Sequence, residues 1–321
     1  MKVVISDDYQ DGIRGLECFS KMAGHDVTIH NDTLKTVDAI AERFKDAEAV
    51  VLIRERTFIT DELLEKLPNL KLIAQTARGA KHIDIDACTR RGIVVAAGGG
   101  SKNVTAELCW GLILAASRNI PLEAQNMKAG RWQKTYGSRL HGKTLGIYAY
   151  GGIGNIVGKV GAAFGMKILA WGREGSRERA EADGFEMAPS REAFFETSDV
   201  ASIHIPLLPD ARGIITAGDL ARMKPSALFV NTSRAGLVEE GALEAALKAG
   251  RPGRAAVDVY DDEPVLITDH PLQKLDNCLC TPHLGYVSKE SIEEYVGGAF
   301  DRVVAFSEGN PIDVINPEIL K

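Results

Sequence analysis

The chain has 321 residues, 45% of them hydrophobic, with 38 Lys and Arg against 44 Asp and Glu for a net charge of −6. That length fits two domains of ordinary size, each able to bury a core without staples. The acidic balance argues against a nucleic-acid binder held by phosphate contacts, though a local basic pocket for a small anion stays open. No signal peptide opens the sequence and no apolar stretch is long enough to span a membrane, so the expectation is a cytoplasmic protein.

Apolar runs alternate with amphipathic stretches almost throughout, the pattern of an α/β fold. Strands are predicted at 2–6, 26–30, 48–53, 71–75 and 93–96, with helices between them. One helix covers 60–66, with Thr60 and Asp61 as capping candidates. The glycines at 98–100 permit a hinge. A long helix over about 103–118 follows, apolar on more than one face, as in a helix buried between layers. A second series begins at Lys143, with strands at 144–150, 167–171, 200–205, 227–231, 254–258 and 278–281. Between the first two of these strands comes a helix from Ile153 to about Phe164, where Gly158 and Gly161 allow close packing on the sheet. A last helix covers about 288–307, before a tail with Pro311 and Pro317.

The five cysteines, Cys18, Cys88, Cys109, Cys278 and Cys280, are odd in number and spread through the chain, unlike a disulfide framework. Cys278-Leu279-Cys280 reads as two buried strand thiols, and a metal site there lacks further ligands. No metal is expected.

Four segments carry chemistry. Ala149-Tyr150-Gly151-Gly152-Ile153-Gly154 is a glycine-rich strand-to-helix turn of the kind that seats a dinucleotide pyrophosphate, or else an ordinary βα loop. Arg234, in Asn231-Thr232-Ser233-Arg234-Ala235-Gly236, follows an apolar strand. A guanidinium there holds a carboxylate with two parallel hydrogen bonds, or is merely a surface charge. Glu263, after Asp258-Val259-Tyr260, and His283, in Thr281-Pro282-His283-Leu284-Gly285, each lie just past a strand and reach one rim. A carboxylate beside an imidazole favours the protonated ring and fixes its orientation. Together these are the parts needed to move a hydride and a proton onto a 2-keto acid.

The order and spacing of these segments resemble the D-isomer-specific 2-hydroxyacid dehydrogenase family over essentially the whole chain. The resemblance implies two doubly wound α/β domains, a Rossmann dinucleotide-binding domain (100–285) inserted into a flavodoxin-like substrate domain (1–99 and 286–321). It implies His283 as acid/base, Glu263 as its partner and Arg234 as the substrate-binding arginine. Thr76-Ala77-Arg78-Gly79-Ala80-Lys81-His82 resembles the glycine-rich substrate loop, whose amides, here of Arg78 and Gly79, bind the carboxylate. Ala77 and Lys81 depart from that pattern. Arg54 faces the substrate's far end, or pairs with Glu55 or Asp61. Cofactor contacts fall to Gly151, Gly152, Ile153 and Gly154, to His204, Pro206, Thr232 and Ser233, and to Asp258 and Gly285. Asp258 meets the nicotinamide amide, or simply caps its strand. Leu208 replaces a common threonine. The first glycine of the turn is Ala149, at little cost if the local φ is negative.

The resemblance further implies a homodimer, built here on the helix near 103–118 and its flanks, and a chain that ends without an appended regulatory domain. Glu263 argues against a formate dehydrogenase. Glyoxylate, hydroxypyruvate, phosphohydroxypyruvate and bulkier keto acids all remain as substrates. A dinucleotide-sensing corepressor on the same fold is the alternative. Either NAD or NADP serves as cofactor, with NADP(H) preferred. NAD-specific relatives commonly place Asp where Gly172 stands, and Arg173, Ser176 and Arg177 offer donors and charge to a 2′-phosphate. Glu174 in the ribose role, or helical pairing of Arg173 and Arg177 within a solvated loop, fits the same residues.

Overall fold

The structure is a computed structural model describing residues 1–320. Its backbone divides into two compact units, Met1–Ser101 with the segment from Ser288 onward, and Lys102–Val287.

In the first unit β1 (Lys2–Ile5), β2 (Asp26–Ile29), β3 (Ala49–Leu52), β4 (Leu72–Gln75) and β5 (Val94–Ala97) form one parallel sheet in the order β2-β1-β3-β4-β5. The helices are α1 (Val37–Phe44), α2 (Asp61–Glu65) and α3 (Ile85–Arg90). All four residues of β3 and of β4 are buried, as befits parallel strands covered on both faces. Thr60 caps α2, its Oγ1 accepting from Leu63 N at 3.3 Å.

The second unit opens with α4 (Lys102–Arg118) and α5 (Ile120–Lys128). The alternating series follows as β6 (Thr144–Tyr148), α6 (Gly152–Ala163), β7 (Lys167–Trp171), α7 (Glu174–Ala182), β8 (Glu186–Met187) and α8 (Arg191–Thr197). It continues as β9 (Val200–Ile203), α9 (Ala217–Arg222), β10 (Leu228–Asn231), α10 (Ala242–Lys248), β11 (Arg254–Val257) and β12 (Cys278–Cys280). These strands make a parallel sheet in the order β12-β11-β10-β9-β6-β7-β8, reversing direction of succession between β6 and β9. That is a doubly wound Rossmann-type sheet, whose ligands bind at the carboxyl ends of the strands beside the switch. The chain returns to the first unit through α11 (Lys289–Ser307).

Two elements lay outside the sequence expectation, the short edge strand β8 and α5, which carries Pro121 in its first turn. The long helix α4 does lie between layers. It packs on α6, β10 and β11, burying Ala106, Cys109, Trp110, Leu112 and Ile113. Its apolar faces are therefore largely used within the unit. A cluster in sequence of exposed large apolar side chains follows it: Ile120, Leu122, Met127, Trp132 and Tyr136. Close packing of α6 uses Gly161, where an added Cβ would sit 2.6 Å from Leu145 Cδ2.

Among the described residues no helix is long and apolar enough to cross a membrane. Cys278 and Cys280 are only half-buried, on an edge strand rather than in the core, with their sulfurs 3.8 Å apart.

Candidate active site

Three neighbouring strands, β10, β11 and β12, deliver the three residues singled out for chemistry. Arg234 follows β10, Glu263 follows β11, and His283 follows β12. Parallel strands end on one edge of a sheet, so the loops share a rim.

His283 Nδ1 lies 2.6 Å from Glu263 Oε2, with both side chains only 13% exposed. Tyr260 N donates to the other carboxylate oxygen at 2.9 Å, so the carboxylate is itself aimed. His283 has a left-handed backbone, φ 51°, and its N–H donates to Thr281 O at 3.0 Å. A non-glycine residue held there marks a position fixed by its surroundings. Asp258 does much of that fixing. It is fully buried, accepting at Oδ1 from Thr281 Oγ1 (2.6 Å) and Leu284 N (2.7 Å), and at Oδ2 from Gly285 N (2.8 Å). Desolvation raises its pKa against the pull of those bonds.

Arg234 is half-buried, one guanidinium nitrogen donating to Ser233 O at 2.7 Å. Its backbone is set by Asn231, whose Nδ2 donates to Arg234 O (2.9 Å) and whose Oδ1 accepts from Ser233 N (3.0 Å). Ser233 Oγ donates to Ile205 O at 2.6 Å. Thr232 is buried, and among the described residues its Oγ1 has no hydrogen-bond partner.

The glycine turn joins β6 to the start of α6. Ala149 takes φ 73°, so the condition under which an alanine costs little there, a negative φ, is not met. The left-handed conformation costs an alanine about 1–2 kcal/mol relative to glycine. Ala149 N bonds Trp171 O at 2.7 Å, and Gly151 N bonds Ala149 O at 2.8 Å, which ties the turn down. At Gly154 a Cβ would stand 2.6 Å from Ala149 O, so only glycine lets α6 approach the turn this closely. At Gly151 nothing among the described residues lies within 4 Å of an added Cβ, leaving the turn open on that side. Ile153 is half-buried against the core.

Sequence reasoning missed Lys102. Its side chain lies across Gly152, where an added Cβ would be 2.8 Å from Nζ. Neither α4, which begins at Lys102, nor α6 has an acidic residue in its first turn. An ammonium at the positive end of a helix is repelled there until an anion arrives. The only available signal was a lysine at the head of a predicted helix, and its nearness to a turn fifty positions on was not legible.

At the end of β7, Gly172 has φ 156°, and a Cβ there would meet Ser176 Oγ at 2.7 Å. Arg173 is exposed and pairs with Asp210 at 2.7 Å. Arg177 pairs along α7 with Glu181 at 3.3 Å, the helical pairing that was one of the readings of this residue. Glu174 opens α7 and lies 3.9 Å from Arg177. His204 Nε2 is 3.0 Å from Ser202 Oγ, and burial pushes its pKa down to about 4. Pro206 O accepts from Leu208 N at 3.0 Å, and Leu208 is exposed.

Arg54, Arg78 and Gly79 belong to the first unit, at the carboxyl ends of β3 and β4. Arg54 has φ 59°, and its guanidinium stands 5.8 Å from the ring centre of Tyr295. Asp61, one partner considered for Arg54, pairs with Arg91. Arg78 and Gly79 are exposed.

Residues 110–285 match the family model described as D-isomer specific 2-hydroxyacid dehydrogenase, NAD binding domain. A D-3-phosphoglycerate dehydrogenase of Methanocaldococcus jannaschii is 36% identical over 91% of this chain, which spans about half (54%) of that protein's length. A glyoxylate reductase of Aeropyrum pernix is 36% identical, covering 88% of this chain and 87% of its own. The crystal structure of a phosphoglycerate oxidoreductase from Vibrio cholerae superposes with a TM-score of 0.93 at 50% identity, covering 96% of this chain and 99% of that one.

Proposed function

Because the chain belongs to the D-isomer-specific 2-hydroxyacid dehydrogenase family, we propose that it is a nicotinamide-dependent oxidoreductase interconverting a 2-keto acid and a D-2-hydroxy acid. The observation that carries this reading is the 2.6 Å contact between His283 and Glu263 on the rim that also bears Arg234. With Nδ1 tied to the carboxylate, Nε2 is the nitrogen left to serve a substrate. In reduction it donates its proton to the keto oxygen as negative charge develops there, and Glu263 stabilises the ring while it is charged. In oxidation the same nitrogen takes the hydroxyl proton. Arg234 holds the carboxylate with its planar fork and polarises the keto oxygen. In the first unit, the amides of Arg78 and Gly79 are further donors to the carboxylate, and Arg54 serves the substrate's far end.

The residues at the turn suit a dinucleotide. The start of α6, with Gly151, Gly152, Ile153 and Gly154, takes the pyrophosphate, and Lys102 neutralises it. Thr232, Ser233, Asp258, Gly285, His204 and Pro206 line the rest of the cofactor's path. Bound there, the nicotinamide supplies or accepts the hydride. We propose NADP(H) over NAD(H), since position 172 offers no carboxylate to a ribose 2′-hydroxyl. An exposed pair such as Arg173–Asp210 is worth only ~0–1 kcal/mol, so a 2′-phosphate can displace Asp210 from Arg173. We further propose a homodimer in which Met127, Trp132 and Tyr136 are covered. The corepressor alternative lacks such support, since the relatives described above are named for dehydrogenase, oxidoreductase or reductase activity.

The test is turnover of a keto-acid panel (glyoxylate, hydroxypyruvate, phosphohydroxypyruvate and a bulky keto acid) with NADH and NADPH, in wild type and His283→Ala. Wild type should turn over at least one, and the variant should lose on the order of 10²-fold or more in kcat while still binding cofactor. A folded His283→Ala protein with near-normal turnover refutes the proton-donor role.

A further inference from the structure

Gln75 is a polar residue at the end of a buried strand, with no exposure at all. Its Nε2 donates to Arg54 O at 3.0 Å and to Gly79 O at 2.9 Å, and its Oε1 accepts from Thr76 N at 3.1 Å. One carboxamide thus fastens the loop after β3 to the loop after β4. Arg54 is pinned from the other side too, its N–H donating to Thr76 Oγ1 at 3.2 Å. Both polar ends of its left-handed backbone, φ 59°, are therefore held. A strained backbone persists only where its surroundings over-determine it, and such strain gathers at functional sites.

The consequence falls on the Arg78–Ala80 amides. With Gly79 O drawn inward, the next peptide N–H, that of Ala80, is turned the opposite way, because the peptide unit is planar and trans. Among the described residues the amides of Arg78, Gly79 and Ala80 donate to no backbone carbonyl. Successive unpaired N–H groups of this kind form a concave seat for an anion.

We propose that Gln75 is a positioning residue for substrate, fixing the Arg78–Ala80 amides that receive the carboxylate relative to Arg54, which serves the substrate's far end. This rests on the dehydrogenase reading. Gln75 touches no substrate itself and acts through the two loops.

The test compares wild type with Gln75→Met, which keeps the length of the side chain and removes both donors. Expected is a rise in KM for the keto acid on the order of tenfold, the scale of one lost hydrogen bond. The kcat at saturation and the Kd for cofactor should stay within about twofold. A role confined to stability would lower the melting temperature and leave the KM of the folded protein unmoved, and that result overturns the proposal. Hydrogen exchange on wild type covers the case in which the variant does not fold. Adding cofactor and oxamate, a keto-acid mimic, should slow exchange at residues 78–80, and unchanged exchange there overturns the proposal. Wild type that turns over no keto acid sinks the dehydrogenase reading as well, whereas an active wild type with an unmoved KM in Gln75→Met refutes the Gln75 role alone.

Discussion

Glu263 holds His283 at one carboxylate oxygen and the Tyr260 amide at the other, so the group that orients the imidazole is itself oriented by the backbone three residues before it. A carboxylate tied at one end only could swing away when the ring loses its proton. Tied at both, it keeps the ring in place, as the proposed proton transfer requires.

Glu263→Gln keeps the shape of this pair and removes the charge. The ring then loses its charged partner 2.6 Å away and with it the stabilisation of any positive charge it carries during turnover. The expected outcome is a fall in kcat on the order of 10²-fold with the Kd for cofactor unchanged. A folded Glu263→Gln protein with kcat within about twofold of wild type refutes the pairing as a functional one.

That Arg234, Glu263 and His283 share a rim was legible in the sequence because each lies within six residues past an apolar strand, and short parallel strands such as Ala49–Leu52 announce themselves as unbroken apolar runs. Gln75 was not, since a lone glutamine at a strand end says nothing about which two carbonyls its amide will meet. The strain at Ala149 was equally hidden, because φ depends on the Trp171 and Ala149 carbonyls that anchor the turn. Helix α5 escaped notice because Pro121 and a weak apolar period disguise it. The limits of α4 as a docking face were set by packing. Its pattern advertised a broad apolar surface, but α6, β10 and β11 already cover most of it.

Acid should destabilise the fold through two histidines. Burial pushes the pKa of His82 and that of His204 from 6.5 to about 4. The unfolded chain therefore binds more protons than the folded one between these values. Stability is present in full above about pH 6.5 and falls as pH drops toward 4, by on the order of 1–3 kcal/mol per histidine. Urea midpoints at pH 7, 5.5 and 4.5 should decline in that order. His82→Gln should show a shallower decline than wild type, and an identical slope contradicts the assignment.

The proposed dimer has a specific surface to lose. Met127, Trp132 and Tyr136 are 62%, 69% and 98% exposed, on α5 and the extended segment after it. Thr135 Oγ1 donates to Glu123 at 2.7 Å and Arg131 Nε to Asn126 at 2.9 Å, so the segment is fastened to α5. Large fixed aromatics left in water suit an interface. Light scattering at micromolar concentration should give twice the chain mass for wild type and the single chain mass for Trp132→Glu/Tyr136→Glu. A monomeric wild type contradicts the proposal.

The proposed cofactor recognition divides between two cations. Lys102 lies over Gly152 at the head of α6, the proposed pyrophosphate seat, and Arg173 lies past β7, the proposed seat of the 2′-phosphate that NADPH alone carries. Lys102→Met should therefore weaken NADH and NADPH together, by about tenfold, since a charge-assisted hydrogen bond is worth roughly 1.5–3 kcal/mol and this one is exposed. Arg173→Ala should raise KM for NADPH far more than for NADH. Its present partner Asp210 offers a further check, because Asp210→Asn frees the guanidinium and should tighten NADPH alone. Rising salt should weaken binding in wild type more than in either cation variant, as screening acts on a charge already lost there. Titration of the four proteins with both reduced cofactors decides the matter. A higher wild-type kcat/KM with NADH, or an Arg173→Ala loss shared equally by both cofactors, rules out the NADP preference. An unchanged Kd in Lys102→Met rules out the lysine's contact with the pyrophosphate and leaves the rest of the seat standing.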